Sequence, residues 1–442
     1  MQPKEIATVK IKFINPNANK YFDYTASGLC VESIEAEMKQ ISAHYANTHS
    51  KDATLSNYMN EHWTTSRNAL FKLLEINPFD FEIIPAGYGS TAAIKKFQEL
   101  IGIYLPPRTK RRCEIKVIDK PVVLVGPYEH HSNDVSYRES IADIIRLNLN
   151  DTGTLCLLDL EKKLQENKNR EIYICLSVAS NVTGIITDVQ AVSVIARKYN
   201  AVLCLDAATS SPYINIPSSF YDVMFMSPHK CIGGPGSVGL LVIRKSLVDT
   251  TLPPTFAGGG TVCYVNSEEH YYDDDLHIRE NAGTPGILQF IKTAKAYKLR
   301  NDFGLDKIKN IKKELHRYFV SEVSTFPNVT VYGNMDVPNI GICSLNVKGF
   351  TPEELCEKLS TQYQLETRAG CSCAGPYGHI LLGLPNDPNS RPDMGWLRIS
   401  IHYTHTKDDV DYLLNALKEI ITPPLRNALI DLDNNTTYQI NI

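Results

Sequence analysis

The sequence lacks the features of a membrane, secreted or nucleic-acid-binding protein. Its longest apolar runs, such as 122–126 and 238–243, have the length of a β-strand and fall far short of the roughly 20 residues that span a bilayer. The N-terminal segment leads into no apolar signal core. Charge is nearly balanced, with 45 Lys and Arg against 49 Asp and Glu. Because a nucleic acid or an anionic membrane would need a basic excess, we expect neither as a partner.

The 11 cysteines are odd in number and show no regular spacing. Disulfide scaffolds are short, secreted and dense in cysteine, so this pattern indicates a reduced protein. We therefore predict a cytoplasmic location and leave an organelle address open.

The middle of the chain alternates short apolar runs with amphipathic helical patterns. Residues 172–178, 201–205 and 223–226 are continuous apolar runs of strand length. Between the first two, Asp188 can cap a helix whose apolar residues recur at helical spacing. Continuous apolar strands that alternate with such helices are typical of a mostly parallel sheet covered on both faces. The predicted fold class is therefore α/β.

Polar residues follow these runs at the points where the predicted strands end. They are His130, Asn181, Asp206 and Lys230. In open α/β sheets, ligands bind in the crevice outside the carboxyl ends of the strands. Each residue alone is equally well explained as a solvated loop residue, but four together predict a site.

Three chemical features point to one cofactor. Gly89, Ser90 and Thr91 open a predicted helix, whose free N–H groups and dipole favour a phosphate, although Ser and Thr are also ordinary helix caps. Lys230 suits a Schiff base, and Asp206 suits the carboxylate that keeps a heterocyclic nitrogen protonated. A phosphate anchor, a buried acid and a lysine are what pyridoxal 5'-phosphate requires.

The sequence resembles the class V, fold-type I pyridoxal-phosphate enzymes, nearest to the cysteine desulfurase and selenocysteine lyase branch. The resemblance covers most of the chain and rests on segments that occur in the same order as in the family. These are 21–27 (YFDYTAS), 89–91 (GST), 129–133 (EHHSN), 180–184 (SNVTG), 206–208 (DAA), 227–230 (SPHK), 282–285 (AGTP), 368–374 (RAGCSCA) and 397–400 (LRIS).

The resemblance implies a large cofactor domain over 20–300 with a mostly parallel seven-stranded sheet. A smaller C-terminal α+β domain is expected over 301–425, with 1–19 packed against it. Residues 426–442 are expected to form a tail, of which 431–442 is polar.

The resemblance also implies roles for the matched residues. Lys230 would hold the cofactor as a Schiff base and move protons at the substrate's α-carbon. His130 would stack on the ring and relay protons, and Asp206 would pair with the ring nitrogen. The remaining cofactor-binding residues implied are Ser90, Thr91, Asn181, Thr209, Ser227, His229 and Thr284.

The resemblance has three further consequences. Thr284 reaches the phosphate of the neighbouring subunit in this family, which implies a homodimer. Arg398 would bind the substrate's carboxylate, with Asn181 and Arg368 as further substrate contacts. Thr209 replaces a glutamine common in the family, so its contact with the cofactor's phenolic oxygen would differ.

The cysteines at 371 and 373 decide which reaction is expected. Cys373 stands where the desulfurase branch has the cysteine that attacks the substrate sulfur, and Arg368 could supply the positive charge that favours a thiolate. Cys371 is an extra thiol that could relay sulfur or resolve a persulfide. Half of a zinc site is the competing interpretation, but no second Cys/His pair has suitable spacing, so we predict no metal.

We therefore expect a homodimeric desulfurase that converts L-cysteine or L-selenocysteine to L-alanine, leaving a persulfide on Cys373 for a sulfur-acceptor protein. A class V aminotransferase or amino-acid epimerase that does not use Cys373 is the alternative. A non-catalytic sulfur carrier that keeps the fold is a further one.

Overall fold

The structure is a computed structural model that describes residues 11–50, 52–113, 116–385, 387 and 394–422. The tail predicted over 426–442, like the first ten residues, lies outside the described residues. The strands are β1 Phe81–Pro85, β2 Val122–Val125, β3 Asp143–Arg146, β4 Ile172–Ser177, β5 Val202–Asp206, β6 Val223–Met226, β7 Leu240–Arg244, β8 Val262–Val265, β9 His270–Tyr272, β10 Val329–Tyr332, β11 Ile342–Val347 and β12 Leu397–Ser400.

The α-helices lie between and after these strands. They are α1 Glu32–Ser42, α2 Thr54–Leu73, α3 Gly89–Leu100, α4 Pro107–Arg112, α5 Val135–Arg138, α6 Leu157–Glu166, α7 Val189–Lys198, α8 Leu276–Arg279, α9 Ile287–Phe303, α10 Leu305–Val323, α11 Pro352–Tyr363, α12 Gly375–Leu382 and α13 Lys407–Ile421. Within the described ranges, no helix is long and apolar enough to cross a membrane.

The first seven strands form the large sheet, in the order β1-β7-β6-β5-β4-β2-β3. Strands β2 to β6 pair in parallel, and β7 runs antiparallel to both β6 and β1. For β7 to run parallel to β6, the chain would need a long crossover connection between them. The two strands are instead joined by a loop that contains only the short 3₁₀ turn Pro228–Lys230. The predicted α/β class with a mostly parallel seven-stranded sheet is confirmed.

Helices cover both faces of the large sheet. On one face, α2, α6, α7 and α9 pack on side chains such as Leu124, Ile174 and Leu205. On the other face, α3 packs on the alternate residues, which include Val123 and Val125. Because both faces are buried, the strands are apolar at consecutive positions, and this is why they could be recognised in the sequence.

Strands β10, β11 and β12 form a small antiparallel sheet backed by α10, α11 and α13. Residues 21–28, which we call the strap, connect it to the large sheet. At one end of the strap, Phe22 donates its N–H to the carbonyl of Glu366 (2.7 Å) and accepts from the N–H of Ser400 (2.8 Å). At the other end, the N–H of Gly28 donates to the carbonyl of His229 (2.9 Å). The strap therefore spans from the small sheet to the loop after β6.

Candidate active site

A pocket lies at the carboxyl ends of β4, β5 and β6, where the large sheet meets the strap and the small sheet. It brings together nearly every site residue predicted from the sequence, and Thr284 is the exception. The predicted residues that line it are Ser90, Thr91, His130, Asn181, Asp206, Thr209, Ser227, His229, Lys230, Arg368, Cys373 and Arg398.

The start of α3 forms one wall of this pocket. Gly89 has a φ of +74°, and a Cβ there would lie 2.8 Å from Cε1 of His229 and 2.9 Å from Oγ of Ser227. Ser90 donates its N–H to Oγ of Ser227 (2.8 Å). The conformation and the close approach both require glycine, and they leave a helix N-terminus lined by hydroxyls and open to an anion.

Asp206 ends β5, and Lys230 lies in the 3₁₀ turn that follows the neighbouring parallel strand β6. Asp206 is the last residue of β5, and its carboxylate accepts the N–H of Ala208 (2.9 Å). Burial raises the pKa of Asp206, which its hydrogen bond and the charge of Lys230 partly offset. Desolvation lowers the pKa of Lys230 to about 8, and the charge of Asp206 opposes that decrease. A substantial share of the amine is therefore neutral in the physiological range.

Two histidines at the pocket are held neutral. Desolvation lowers the pKa of His130 to about 4 and that of His229 to about 4, and the charge of Lys230 adds to both effects. His130 accepts the N–H of Ser132 on Nδ1 (3.1 Å). Its ring proton is therefore on Nε2, so the ring is an uncharged donor at that atom.

Arg398 is buried at the substrate side of the pocket, on β12. It donates from Nη1 to the carbonyl of Asn181 (3.1 Å) and from Nη2 to Oδ1 of Asp23 (2.8 Å). Burial lowers the pKa of Arg398, and the charge of Asp23 opposes this. The guanidinium is thus fixed in place while Nε and its remaining N–H groups stay available.

The segment that carries Cys373 is a strained tight turn. The N–H of Ala374 donates to the carbonyl of Cys371 (3.2 Å), and both central residues, Ser372 and Cys373, have positive φ, +53° and +57°. This is the pattern of a type I′ turn, which normally uses glycine or asparagine. The turn leaves Cys373 exposed at the pocket, while Cys371 is half-buried.

The turn is anchored to the pocket by hydrogen bonds from other segments. Nδ2 of Asn181 donates to the carbonyl of Ser372 (2.6 Å), and the N–H of His131 donates to the carbonyl of Cys373 (2.8 Å). The N–H of Gly375 donates to Nε2 of His131 (2.9 Å). Since several partners fix the strained backbone, the main chain of Cys373 is held in place beside the pocket.

Three buried polar atoms of the pocket have no hydrogen-bond partner in the described part of the chain. They are Oδ1 of Asn181, Oγ of Ser372 and Nε of Arg398. A buried polar atom without a partner is costly, and several together indicate a site built for a polar ligand. One acceptor, one hydroxyl and one cationic donor suit an amino acid bound beside a carbonyl cofactor.

Several residues at the site were not singled out from the sequence, and two of them carry polar groups that matter for ligand binding. Asp23 pairs with Arg398, and Ser372 places an unpartnered hydroxyl in the pocket. Asp23 and Ser372 lie inside segments that carry the family resemblance, 21–27 and 368–374. Their place in these segments is the signal that could have identified them from the sequence. Thr284 is exposed and outside the pocket of its own chain, where its Oγ1 accepts from Nδ2 of Asn47 (2.9 Å).

The fold and this pocket define a fold-type I protein with its site at the strand ends, and comparisons with known proteins place the chain more closely. Residues 20–413 match the aminotransferase class-V family, and the chain belongs to that family.

Named relatives are similar at modest identity. A probable cysteine desulfurase of Pyrococcus abyssi is 27% identical over 420 residues, which cover 91% of this chain and 94% of the relative. A probable cysteine desulfurase of Halalkalibacterium halodurans is 27% identical over 309 residues, which cover 67% and 70%.

Solved structures share the fold. A cysteine desulfurase of Thermococcus onnurineus in its apo form has a TM-score of 0.77 and 24% identity, covering 91% of this chain and 94% of that one. The cysteine desulfurase CsdA of Escherichia coli has a TM-score of 0.72 and 21% identity, covering 94% and 96%. The predicted fold-type I architecture is confirmed.

Proposed function

We propose that this protein is a pyridoxal-phosphate-dependent cysteine desulfurase. The observation that carries the proposal is the exposed Cys373 thiol, held by a strained turn at the pocket that also contains Lys230 and Arg398. Relatives named as probable cysteine desulfurases over nearly the whole chain support it. The substrate is L-cysteine or L-selenocysteine, and the products are L-alanine and a persulfide on Cys373 that an acceptor protein receives.

The residues of the pocket fit pyridoxal phosphate. The start of α3 with Ser227 and His229 would hold the phosphate, His130 and Asp206 the ring, and the neutral amine of Lys230 the carbonyl carbon. Asn181 and Thr209 line the same space, and Thr209 stands where a glutamine is common in the family. When bound, the cofactor supplies an electron-withdrawing ring that stabilises negative charge at the α-carbon.

The protein's own side chains then bind the substrate and move its protons. Arg398 binds the α-carboxylate through its free N–H groups, with Asn181 and Arg368 beside it. Lys230 accepts the α-proton, because desolvation keeps part of its amine neutral. Asp206 would place its carboxylate against the ring nitrogen, and pairing with that nitrogen would offset the cost of burying a negative charge.

Sulfur transfer follows at Cys373. The thiolate attacks the substrate's Sγ, so that a new S–S bond forms as the Cβ–Sγ bond breaks. The electron pair of the broken bond stays with the substrate, which takes up one proton at Cβ, recovers its α-proton from Lys230 and leaves as alanine. The outer sulfur remains on Cys373 as a persulfide, exposed where an acceptor can reach it.

We extend the proposal to the assembly and the location of the protein. We propose a homodimer in which Thr284, exposed and outside its own pocket, binds the phosphate held by the other subunit. The protein acts in the cytoplasm. The proposed division into a large domain over 20–300 and a small one over 301–425 with 1–19 is supported by the two sheets' separate apolar cores, although Phe22 packs in the core of the small sheet.

The test measures alanine and sulfide released from L-cysteine in the presence of a thiol reductant, with L-selenocysteine in parallel. Wild type should release both products in equal amounts, whereas Cys373→Ala should bind L-cysteine and release neither. Cys263→Ala, which removes another exposed thiol on the β8–β9 hairpin, is the matched control and should behave as wild type. Full desulfuration by Cys373→Ala would show that Cys373 is not the nucleophile, whereas a keto acid or a racemised amino acid as the product would show a different class V reaction.

A further inference from the structure

Three consecutive residues after β2 reach three different parts of the site. His130 lines the pocket. Ser132 shares a hydrogen bond with Thr91 at the start of α3, where the two Oγ atoms lie 2.7 Å apart. His131 lies between them and is not among the residues that line the pocket. Its side chain is instead directed at the turn that carries Cys373.

His131 holds this turn at two points. Its N–H donates to the carbonyl of Cys373 (2.8 Å), and its Nε2 accepts the N–H of Gly375 (2.9 Å). The second contact is close, because a Cβ on Gly375 would lie 3.1 Å from Nε2. Gly375 is the first residue of α12. The imidazole therefore fixes the point at which the turn passes into the helix.

The imidazole of His131 can accept this hydrogen bond because it is neutral. Since Nε2 accepts, the ring proton is on Nδ1. Burial lowers the pKa of His131, the charge of Asp134 opposes that decrease, and the charge of Arg138 adds to it. At neutral pH the ring is therefore uncharged and keeps a free acceptor for Gly375.

The turn depends on such anchors because its backbone is strained. Ser372 and Cys373 both have positive φ, and residues other than glycine keep such a conformation only where the surrounding structure holds them. Nδ2 of Asn181 supplies one anchor, at the carbonyl of Ser372. Without the Nε2 acceptor the end of the turn would be released, and a displacement of about 1 Å at a reacting group can cost about 100-fold in rate.

We propose that His131 is a positioning residue for sulfur transfer, because its imidazole ties the Cys373 turn to the segment that lines the pocket at His130. This inference rests on the proposed function, in which the Cys373 thiolate attacks the substrate's sulfur. Transfer of the α-proton by Lys230 involves no atom of the turn. Loss of the Nε2 acceptor should therefore slow the step at the thiol and leave the step at Lys230 unchanged.

The test compares these two steps in His131→Leu, which keeps a side chain of similar bulk and removes the acceptor. Both are measured on protein loaded with pyridoxal phosphate. Formation of the Cys373 persulfide in a single turnover of L-cysteine, followed by mass spectrometry, should slow about tenfold. Exchange of the α-hydrogen of L-alanine in D₂O, followed by NMR, reports on Lys230 and should stay within about twofold of wild type.

A second measurement follows the turn without any reaction. Amide hydrogen exchange is recorded for the fragment 371–378 of the loaded protein in the absence of substrate. In wild type the N–H of Gly375 is protected by Nε2 of His131. At least one further amide hydrogen of this fragment should therefore exchange early in His131→Leu.

Controls separate the acceptor from the shape of the side chain. His131→Gln places an amide oxygen near the position of Nε2 and should restore most of the persulfide rate and the slow exchange. His131→Asn is too short to reach Gly375 and should behave as His131→Leu, which it replaces if the leucine variant does not fold. His379→Leu is the matched control, since His379 contacts the carbonyl of Pro385 (3.1 Å) near the other end of α12, and it should behave as wild type.

Three results would overturn the inference. They are an unchanged persulfide rate in His131→Leu, an equal loss of α-hydrogen exchange in that variant, and a His131→Gln variant as slow as His131→Leu. Wild type that exchanges the α-hydrogen of L-alanine but forms no persulfide would contradict the proposed function instead. The amide exchange of 371–378 would then still report whether His131 holds the turn.

Discussion

The amine of Lys230 should react with a carbonyl compound at a pH far below that of an ordinary lysine. Desolvation in the pocket lowers its pKa from 10.5 to about 8. At pH 8 about half of such an amine is neutral, whereas an amine with a pKa of 10.5 would be only about 0.3% neutral. Since only the neutral form attacks a carbonyl carbon, the pocket increases the reactive fraction by about 150-fold.

The assay follows covalent attachment of pyridoxal phosphate to cofactor-free protein, trapped with borohydride and located by mass spectrometry. A group with a lowered pKa is protonated at acid pH, so the rate should fall about tenfold for each pH unit below 7. The rate of attachment should be half-maximal near pH 8 and approach a constant maximum at higher pH. Asp206→Asn removes the charge that raises the pKa of Lys230, so its half-maximal rate should move below pH 8.

Lys312 provides the control, since burial also lowers its pKa although it lies outside the pocket. It should remain unlabelled, and Lys230→Met should abolish labelling. The reasoning would be refuted by a half-maximal rate near pH 10 in wild type, or by a shift to higher pH in Asp206→Asn.

Two further changes test the backbone of the site. Gly89→Ala places a Cβ 2.8 Å from His229 at a φ of +74°, so pyridoxal phosphate should bind at least about tenfold more weakly by calorimetry, and unchanged affinity would contradict the phosphate cradle. Ser372→Gly removes a side chain held at a φ of +53° and should raise the free energy of unfolding by about 1 kcal/mol, seen as a higher Tm. The same substitution at Ser360, inside α11, should lower the Tm, and a lower Tm in Ser372→Gly as well would show that the turn is unstrained.

Much of the large sheet could be predicted because its strands are buried on both faces. The runs at 172–178, 201–205 and 223–226 became β4, β5 and β6 with ends displaced by at most one residue. Asp188 caps α7 as predicted and accepts the N–H of Ala191. The strand-end residues came together because the carboxyl ends of parallel strands share one edge.

Other features depend on contacts between segments far apart in the chain, and these were not predictable from local pattern. The run at 238–243 became β7, but its antiparallel direction follows from the short connection after β6. The pairing of Asp23 with Arg398 joins residues near opposite ends of the chain. The positive φ of Ser372 contradicts local preference and is maintained by the anchoring from Asn181.

The strap couples two movements that would otherwise be independent. Because its one end pairs with Glu366 and Ser400 and its other end donates to His229, the small sheet cannot swing outward without pulling on the backbone next to Lys230. Movement of the small sheet away from the pocket is therefore coupled to the position of Lys230.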